Sequence, residues 1–534
     1  MPRELSTDRT SSAWDGSQRA LVESICCILL LVSLGNMVGR ILAVSADHRQ
    51  HPFLSANDRS RWATIRALVD HGTFEIDQVI VDRRWDSIDK VRHIGRDGKQ
   101  HYYSSKPPLY PTLLAGQYWL IKHGLGVEIS QHPFYVARMM LIVTHGLLLL
   151  LLFWVLWQVV RRYSETPWGA IFIFASGTLA TFLTTFSVTL NNHLPGATFA
   201  AIAFYCGLRI WVDGRVELRY FFMAGFAGAF CAANELPALS LFGLLGGVLL
   251  IRHPRQTLLA GVPGAVIVGV AFFATNYIAH DSLRPPYMHR GDGKVIGELN
   301  PQQASDLDAG TLPTELSALI ERKENFELSE EARIEVITPG QRWTLHDPQL
   351  ERRWPLQQTA STIELRGWDH WYDYETSYWQ PGVKVGVDLG EPSKAWYAFH
   401  VLVGHHGIFS LTPIWIFVPL GLAMWIRHGT IHWKQLAIFI ALLSLLCLLF
   451  YIFRPLKDRN YGGVTSGFRW VFWLAPLWLT AMLPAIDWIG KSKLGRGVAY
   501  FALLASIVSA SYSGLNPWRH PWIYSYLQYL TLID

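Results

Sequence analysis

Two short runs of this sequence carry a density of reactive side chains: Asn57-Asp58-Arg59-Ser60-Arg61 and His101-Tyr102-Tyr103-Ser104-Ser105-Lys106-Pro107-Pro108-Leu109-Tyr110. Both lie in one polar segment between apolar stretches. A carboxylate, a guanidinium and an ammonium beside a fixed Pro-Pro backbone cost stability unless something uses them, and what such a set can do is handle an anion next to a proton acceptor. Asp58 has two readings. In one, Ser55-Ala56-Asn57-Asp58 is a helix start whose carboxylate returns a hydrogen bond to the cap. In the other, Asp58 is an acid/base group and Arg61, one turn along the same face, faces the anion. Lys106 divides the same way, between a turn into a membrane-surface helix with a snorkelling Lys and an anion ligand.

The elements that must position these residues follow from composition. The 534 residues are 51% hydrophobic and 16% charged, with 23 Trp and 27 Phe and a mean hydropathy of +0.20. That is the profile of a polytopic, all-α membrane protein. A net charge of +5 is too mild to argue for nucleic acid. Cys26, Cys27, Cys206, Cys231 and Cys447 all fall in apolar stretches, so no disulfide framework or Cys-based zinc site is indicated.

Residues 21–44 read as a retained signal anchor, with Arg3, Arg9 and Arg19 left in the cytoplasm. Further spans are expected at 133–160, 167–190, 194–212, 218–233, 236–251, 257–278, 396–426, 433–453, 468–489 and 498–512, about eleven in all. Threaded this way, the short basic linkers, such as Arg161-Arg162 and Lys491 to Arg496, share the cytoplasmic face. The polar segment 45–132, the Asn191-Asn192-His193 turn, the stretch 280–395 and the loop 454–467 then share the other. Within 45–132, residues 55–69 have helical periodicity, and 90–94 with 100–104 form a hairpin around Asp97-Gly98. Residues 109–123 are short for a span and read as an interfacial helix. The expected organisation is a cytoplasmic segment (1–20), a transmembrane core (21–279), a small external cap (280–395), C-terminal spans (396–513) and an external tail (514–534).

Asp58-x-x-Arg61 opening a helix, followed by Tyr102 to Ser105 and Lys106-Pro107-Pro108-Leu109, strongly resembles the first external loop of the GT-C class of membrane glycosyltransferases, specifically the protein O-mannosyltransferase and aminoarabinose transferase superfamily. Gly404-His405-His406-Gly407-Ile408-Phe409-Ser410-Leu411-Thr412-Pro413 is similar to that family's Gly-x-x-Gly-Leu-Phe-x-x-x-Pro element. Gly462-Gly463-Val464-Thr465-Ser466-Gly467-Phe468-Arg469-Trp470, followed by Pro476, is similar to its Gly-Gly-x-x-x-Gly-x-Arg-Tyr-Leu element. The likeness runs from the first span to about Pro484 and leaves out the cap. It departs from the family where a second acidic residue commonly stands, here Asn191-Asn192-His193, and where a Lys-Gly pair is replaced by Asn234-Glu235.

The resemblance implies an inverting glycosyltransferase that moves a sugar from a polyprenyl-phosphate donor to a hydroxyl of a glycan, lipid or protein, on the external or periplasmic face of the inner or plasma membrane. Asp58 is then the base, and Arg61, Lys106 and Arg469 hold the donor phosphate. Tyr102, Tyr103, Asn192, His193, Glu235, His405, Trp371 and Tyr374 are candidates for sugar and acceptor contacts. Membrane lipids are the other partner. No cofactor or metal is expected, because Lys and Arg can stabilise a leaving phosphate. Two rival classes stay open: a secondary transporter, which wants ionisable groups at the bilayer midplane and related halves, and a catalytically silent relative that binds a lipid-linked sugar.

Overall fold

The computed structural model describes residues 14–46, 51–380 and 382–533, so Arg3 and Arg9 lie outside the described residues. Helix α1 (Gly16–Ala43) is started by a capping box between Asp15 and Gln18. α2 (Ala56–Arg66) begins at Ser55, whose hydroxyl accepts the Asp58 N–H. After the single turn α3 (Asp77–Ile80), β1 (Lys90–Ile94) and β2 (Gln100–Ser104) pair antiparallel with Lys90 opposite Ser104. Gly98, at φ 81°, supplies the left-handed residue that the turn needs. α4 (Leu109–Leu125) starts directly after the Pro107-Pro108 pair and packs on α2.

The membrane core continues with α5 (Pro133–Tyr163), α6 (Pro167–Leu179), α7 (Phe182–Thr185), α8 (His193–Trp211), α9 (Leu218–Asn234), α10 (Leu239–Arg252), α11 (Pro254–Gln256) and α12 (Val262–His280). The cap has its own apolar core. Strands β3 (Arg290–Leu299), β4 (Arg333–Thr338), β5 (Arg342–Asp347), β6 (Arg352–Gln358) and β7 (Ile363–His370) form an antiparallel sheet in the order β3-β7-β6-β5-β4. α13 (Ala304–Asp308) and α14 (Thr314–Glu324) belong to the same unit, and Leu316, Leu319 and Ile320 of α14 bury against Trp343, Leu345 and Leu356. The C-terminal part contains α15 (Lys394–Leu402), α16 (Ile408–Leu411), α17 (Phe417–His428), α18 (Ile431–Ile452), α19 (Ala475–Ala481), α20 (Leu483–Ile489), α21 (Lys493–Tyr512) and α22 (Trp522–Tyr529).

Two expectations change. The protein is mostly helical, at 63% helix, but not all-α, because the cap carries a five-stranded sheet. Its strands are short and mix charged with apolar residues, so the period-two signal is weak beside the long apolar runs. Among the described residues, seven helices are long and apolar enough to cross a membrane: Gly16–Ala43, Pro133–Tyr163, Pro167–Val188, His193–Trp211, Pro254–His280, Ile431–Ile452 and Lys493–Tyr512. An eighth arises if Arg469–Ala481 and Leu483–Ile489, bent by 47°, are one span. The architecture is that of a polytopic membrane protein with fewer long spans than the eleven expected. Residues 396–426 divide into α15, α16 and α17. Leu218–Asn234 has 17 residues, and the chain turns to Leu236–Arg252 through Glu235, whose backbone is extended.

Candidate functional site

Asp58 sits in the first turn of α2 with 1% of its surface exposed. One carboxylate oxygen accepts the Leu54 N–H (3.0 Å), just before the cap residue. The other accepts the Leu190 N–H (3.3 Å) from the turn ahead of α8. A capping box would have the Ser55 N–H donate to this carboxylate, and neither bond is that one. Burial pushes the Asp58 carboxyl up to about 6, opposed by those two N–H groups and by hydrogen bonds from Thr189 and Trp62.

Arg61, one turn on, is also buried. Its Nη1 donates to the Asn57 carbonyl (3.0 Å) and to the Asn57 side chain, and its Nη2 donates to Asn192 Oδ1 (2.7 Å). Lys106 Nζ pairs with Asp89 Oδ2 at 2.9 Å. Asp89 is fixed in turn: its carbonyl accepts the Ser60 hydroxyl (2.6 Å), and Ser60 lies 2.6 Å from the Ser104 hydroxyl, so α2 and β2 clamp the residue that holds Lys106. Burial pulls Arg61 down to about 10 and Lys106 down to about 8; Asp89 opposes both shifts, and for Lys106 the nearby Arg61 and Arg469 add to the fall.

The second wall is the Asn191-Asn192-His193 turn. Asn191 Oδ1 accepts the N–H groups of His193 (2.8 Å) and Leu194 (3.0 Å), capping α8. Asn192 turns its amide nitrogen to Glu235 Oε1 (2.8 Å) while its oxygen faces Arg61, so one amide joins the first loop to the α9–α10 turn. His193 Nδ1 lies 2.5 Å from Glu235 Oε1, and its Nε2 lies 2.7 Å from Arg469 Nη1. A guanidinium only donates, so Nε2 must accept and the proton must be on Nδ1, shared with Glu235. The carboxylate missing from residues 191–193 in the sequence is therefore present there in space, as Glu235.

Arg469 is positioned by its own loop. Its Nε donates to the Gly462 carbonyl (2.9 Å). Gly462 has φ 97°, and a Cβ there would run into the Arg469 side chain, so this position needs glycine on both counts. Trp518, from the C-terminal tail, lies under the guanidinium at 5.0 Å and donates its indole N–H to Thr189 (3.2 Å). Among the described residues, every hydrogen-bond partner of Arg61 and Arg469 is neutral. The Tyr110 hydroxyl, buried near Arg61, has no partner among the described residues. An apolar cavity of about 30 Å³ is lined by Phe182, Leu411, Trp415, Phe468, Phe472 and Trp478, of which Phe472 sets its ring 6.1 Å from that of His193.

The structure thus joins Asp58, Arg61, Lys106, Asn192, His193, Glu235 and Arg469 into one assembly. The other candidates lie apart from it. Tyr103 and Trp371 each stack on His93, with ring centroids 4.1 and 4.0 Å away, and Trp371 also stacks on His289 at 3.4 Å. Tyr374 sets an edge against Tyr102 (5.4 Å) and donates to the Lys90 carbonyl (3.4 Å). These four rings join the hairpin to the cap. His405 stacks on His400 (4.0 Å) within a group that includes His406, Tyr461, His520 and Tyr524.

Sequence reasoning missed Asp89, Asn57, Tyr110 and Trp518. Only Asp89 had a signal, as the acidic residue at the mouth of the predicted hairpin. Among the described residues, no group of three or more His, Cys, Asp or Glu side chains is arranged to hold a metal ion. Asp369 is taken by His289 and Arg284, and Asp373 by Arg353 and Gln380. Compared with known proteins, the sequence matches no family profile and no curated protein.

Proposed function

We propose that this protein is a membrane glycosyltransferase that uses a polyprenyl-phosphate sugar as donor and works on the non-cytoplasmic face, where the cap lies. One observation carries the reading. Three cations from separate parts of the chain, Arg61, Lys106 and Arg469, act on one another, an apolar cavity reaches them through Phe472 against His193, the partner of Arg469, and among the described residues neither arginine has a directly hydrogen-bonded carboxylate. A phosphate on a hydrocarbon tail is the ligand with that pair of properties: the charge for the cations and the chain for the apolar side.

The chemistry is a single displacement. The acceptor hydroxyl oxygen attacks the anomeric carbon, the bond from that carbon to the phosphate oxygen breaks, and the configuration inverts. Asp58 takes the hydroxyl proton, and the electron pair leaves with the polyprenyl phosphate, whose new charge is met by Arg61, Lys106 and Arg469. Asp89 positions Lys106. Glu235 positions Arg469 through His193 and Arg61 through Asn192, so both guanidinium groups are oriented without being neutralised.

The deciding experiment is transfer by the purified full-length protein from a radiolabelled polyprenyl-phosphate sugar to an acceptor extract. Lipid-dependent transfer, lost in Lys106→Ala, supports the reading. Uptake of solute by sealed vesicles without any transfer would replace it with a transporter.

A further inference from the structure

The first and last long helices border a crevice that shares no lining residue with the site above. α1 packs on α5 and α6, while α21 packs on α6, α7 and α20. A polar cavity of about 50 Å³ lies between them, with Asn36 and Arg40 on one wall, Ser511 on the other, and Thr178 and Thr184 in the floor. The floor is tied to both walls, since the Ser33 hydroxyl donates to the Thr178 carbonyl (2.8 Å) and the Thr185 hydroxyl to the Ala510 carbonyl (2.6 Å). Asn36 and Ser511 are exposed.

Arg40 is half-buried and has no charged partner among the described residues. It folds over Gly514, where a Cβ would meet the guanidinium carbon at 2.6 Å, so the glycine leaves it room to stay in the crevice. A bilayer without a polar ligand here would set an unpaired guanidinium, an amide and a hydroxyl against acyl chains, which is costly. Free snorkelling would settle the arginine alone. It does not explain Asn36, which lies four residues below Arg40 on the same face, roughly 6 Å deeper at 1.5 Å per residue.

We propose that this crevice binds one membrane phospholipid. Its phosphate lies on the Arg40 guanidinium and the Ser511 hydroxyl, its glycerol ester carbonyl accepts from the Asn36 amide, and an acyl chain runs down between α1 and α21. The order of the three polar groups along the helices follows the order of phosphate, ester and chain in the lipid. The site shares no residue with the proposed donor site and stands without it.

The test uses full-length protein in detergent, stripped of lipid and titrated with dihexanoyl phosphatidylglycerol, with dihexanoylglycerol and with inorganic phosphate, bound species being counted by native mass spectrometry. Binding of one copy of the phospholipid should be weakened about tenfold by Arg40→Gln. Ser511→Leu, which fills the crevice without touching the arginine, should weaken it as well. Equal binding of dihexanoylglycerol overturns the phosphate contact. Full competition by inorganic phosphate makes this a free-anion site, and wild-type binding in both crevice variants removes the site.

Discussion

Around Arg61 and Arg469 every hydrogen-bond partner among the described residues is neutral, whereas where the hairpin meets the cap, Arg284 and His289 share the carboxylate of Asp369 at 2.7 and 2.5 Å. The two regions use the same residue types: arginine, histidine, carboxylate and aromatic rings. The junction is satisfied within itself: Tyr103, His93, Trp371 and His289 stack on one another, and the guanidinium groups of Arg284 and Arg92 have carboxylates in Asp369 and Glu351. The loop assembly uses its carboxylates for orientation, Glu235 on His193 and Asn192, Asp89 on Lys106, and among the described residues leaves both arginines without a directly hydrogen-bonded carboxylate. A buried charge without a partner is expensive in a resting protein. The difference bears on where a ligand would sit: the satisfied region holds the cap, and the other is where the proposed reading puts the donor phosphate.

The largest effect expected is at Asp58. Asp58→Asn should lower transfer by about 10²- to 10⁴-fold, the range for a lost general base. The amide must also present an NH₂ to either the Leu54 or the Leu190 N–H, so some loss of thermal stability should accompany it. Asp58→Glu keeps the carboxylate and should retain residual transfer. Wild-type transfer in Asp58→Asn, at matched expression, would remove the base from the loop assembly.

Lys106→Ala and Arg469→Gln should each lower transfer by about 10²- to 10³-fold, or 2.7 to 4 kcal/mol of transition-state stabilisation, Arg469→Gln with little change in melting temperature and Lys106→Ala with a lower one, because it leaves Asp89 unpaired. The comparison sharpens here, because a cation held for a ligand can be removed at small cost to the fold, whereas a cation closing a buried pair cannot. Glu235→Gln should cost less, about 10- to 100-fold, by releasing the proton arrangement on His193 that aims Arg469. The readout that separates aim from mere structure is that Glu235→Asp should recover part of the lost kcat.

The pH dependence follows from two groups in the first loop. Burial pushes Asp58 up to about 6, so below that pH it is protonated and cannot accept a proton. Burial pulls Lys106 down to about 8, so above that pH it no longer carries charge for the phosphate. The profile of kcat/KM should be a bell with limbs near 6 and 8, each falling about tenfold per pH unit. A profile flat from pH 5 to 9 would break the assignment. At the junction His93, pushed down to about 4 by burial, stays neutral over that range, so cap attachment should not change with it.

What could be read in the sequence divides along the same line. The hairpin and the start of α2 were legible because Asp97-Gly98 and Ser55 are local signals, and local geometry decides a turn or a cap. The partnership of Glu235 with His193 was not, since it depends on how α8 and α9 meet, and Trp518 reaches Arg469 from a tail with no pattern of its own. The expected span 396–426 is divided where Thr412-Pro413 breaks an apolar run that composition alone reads as continuous, while the break at Glu235 was legible and the helices on either side of it are short, so eleven long spans are not confirmed. Trp371 and Tyr374 stood out as aromatic residues, but a ring that stacks on a ligand and a ring that stacks on a histidine look alike in sequence.

That ambiguity sets up the prediction with the smallest effect on transfer. Trp371 stacks on both His93 and His289, and its carbonyl accepts the Arg92 N–H at 2.8 Å, so its ring and backbone both join the cap to the hairpin. Trp371→Ala should leave the chemical step within about threefold of wild type, since the loss falls on packing, where removing a buried Trp costs about 3–5 kcal/mol. The cost should appear locally, as faster protease cleavage near residues 282–289 and in the hairpin, while the membrane core stays intact. Trp371→Phe restores a flat ring and should recover most of the protection. If Trp371→Ala instead changed acceptor preference with the cap still protected, the ring would be reading substrate, and the junction would belong with the loop assembly as part of the site.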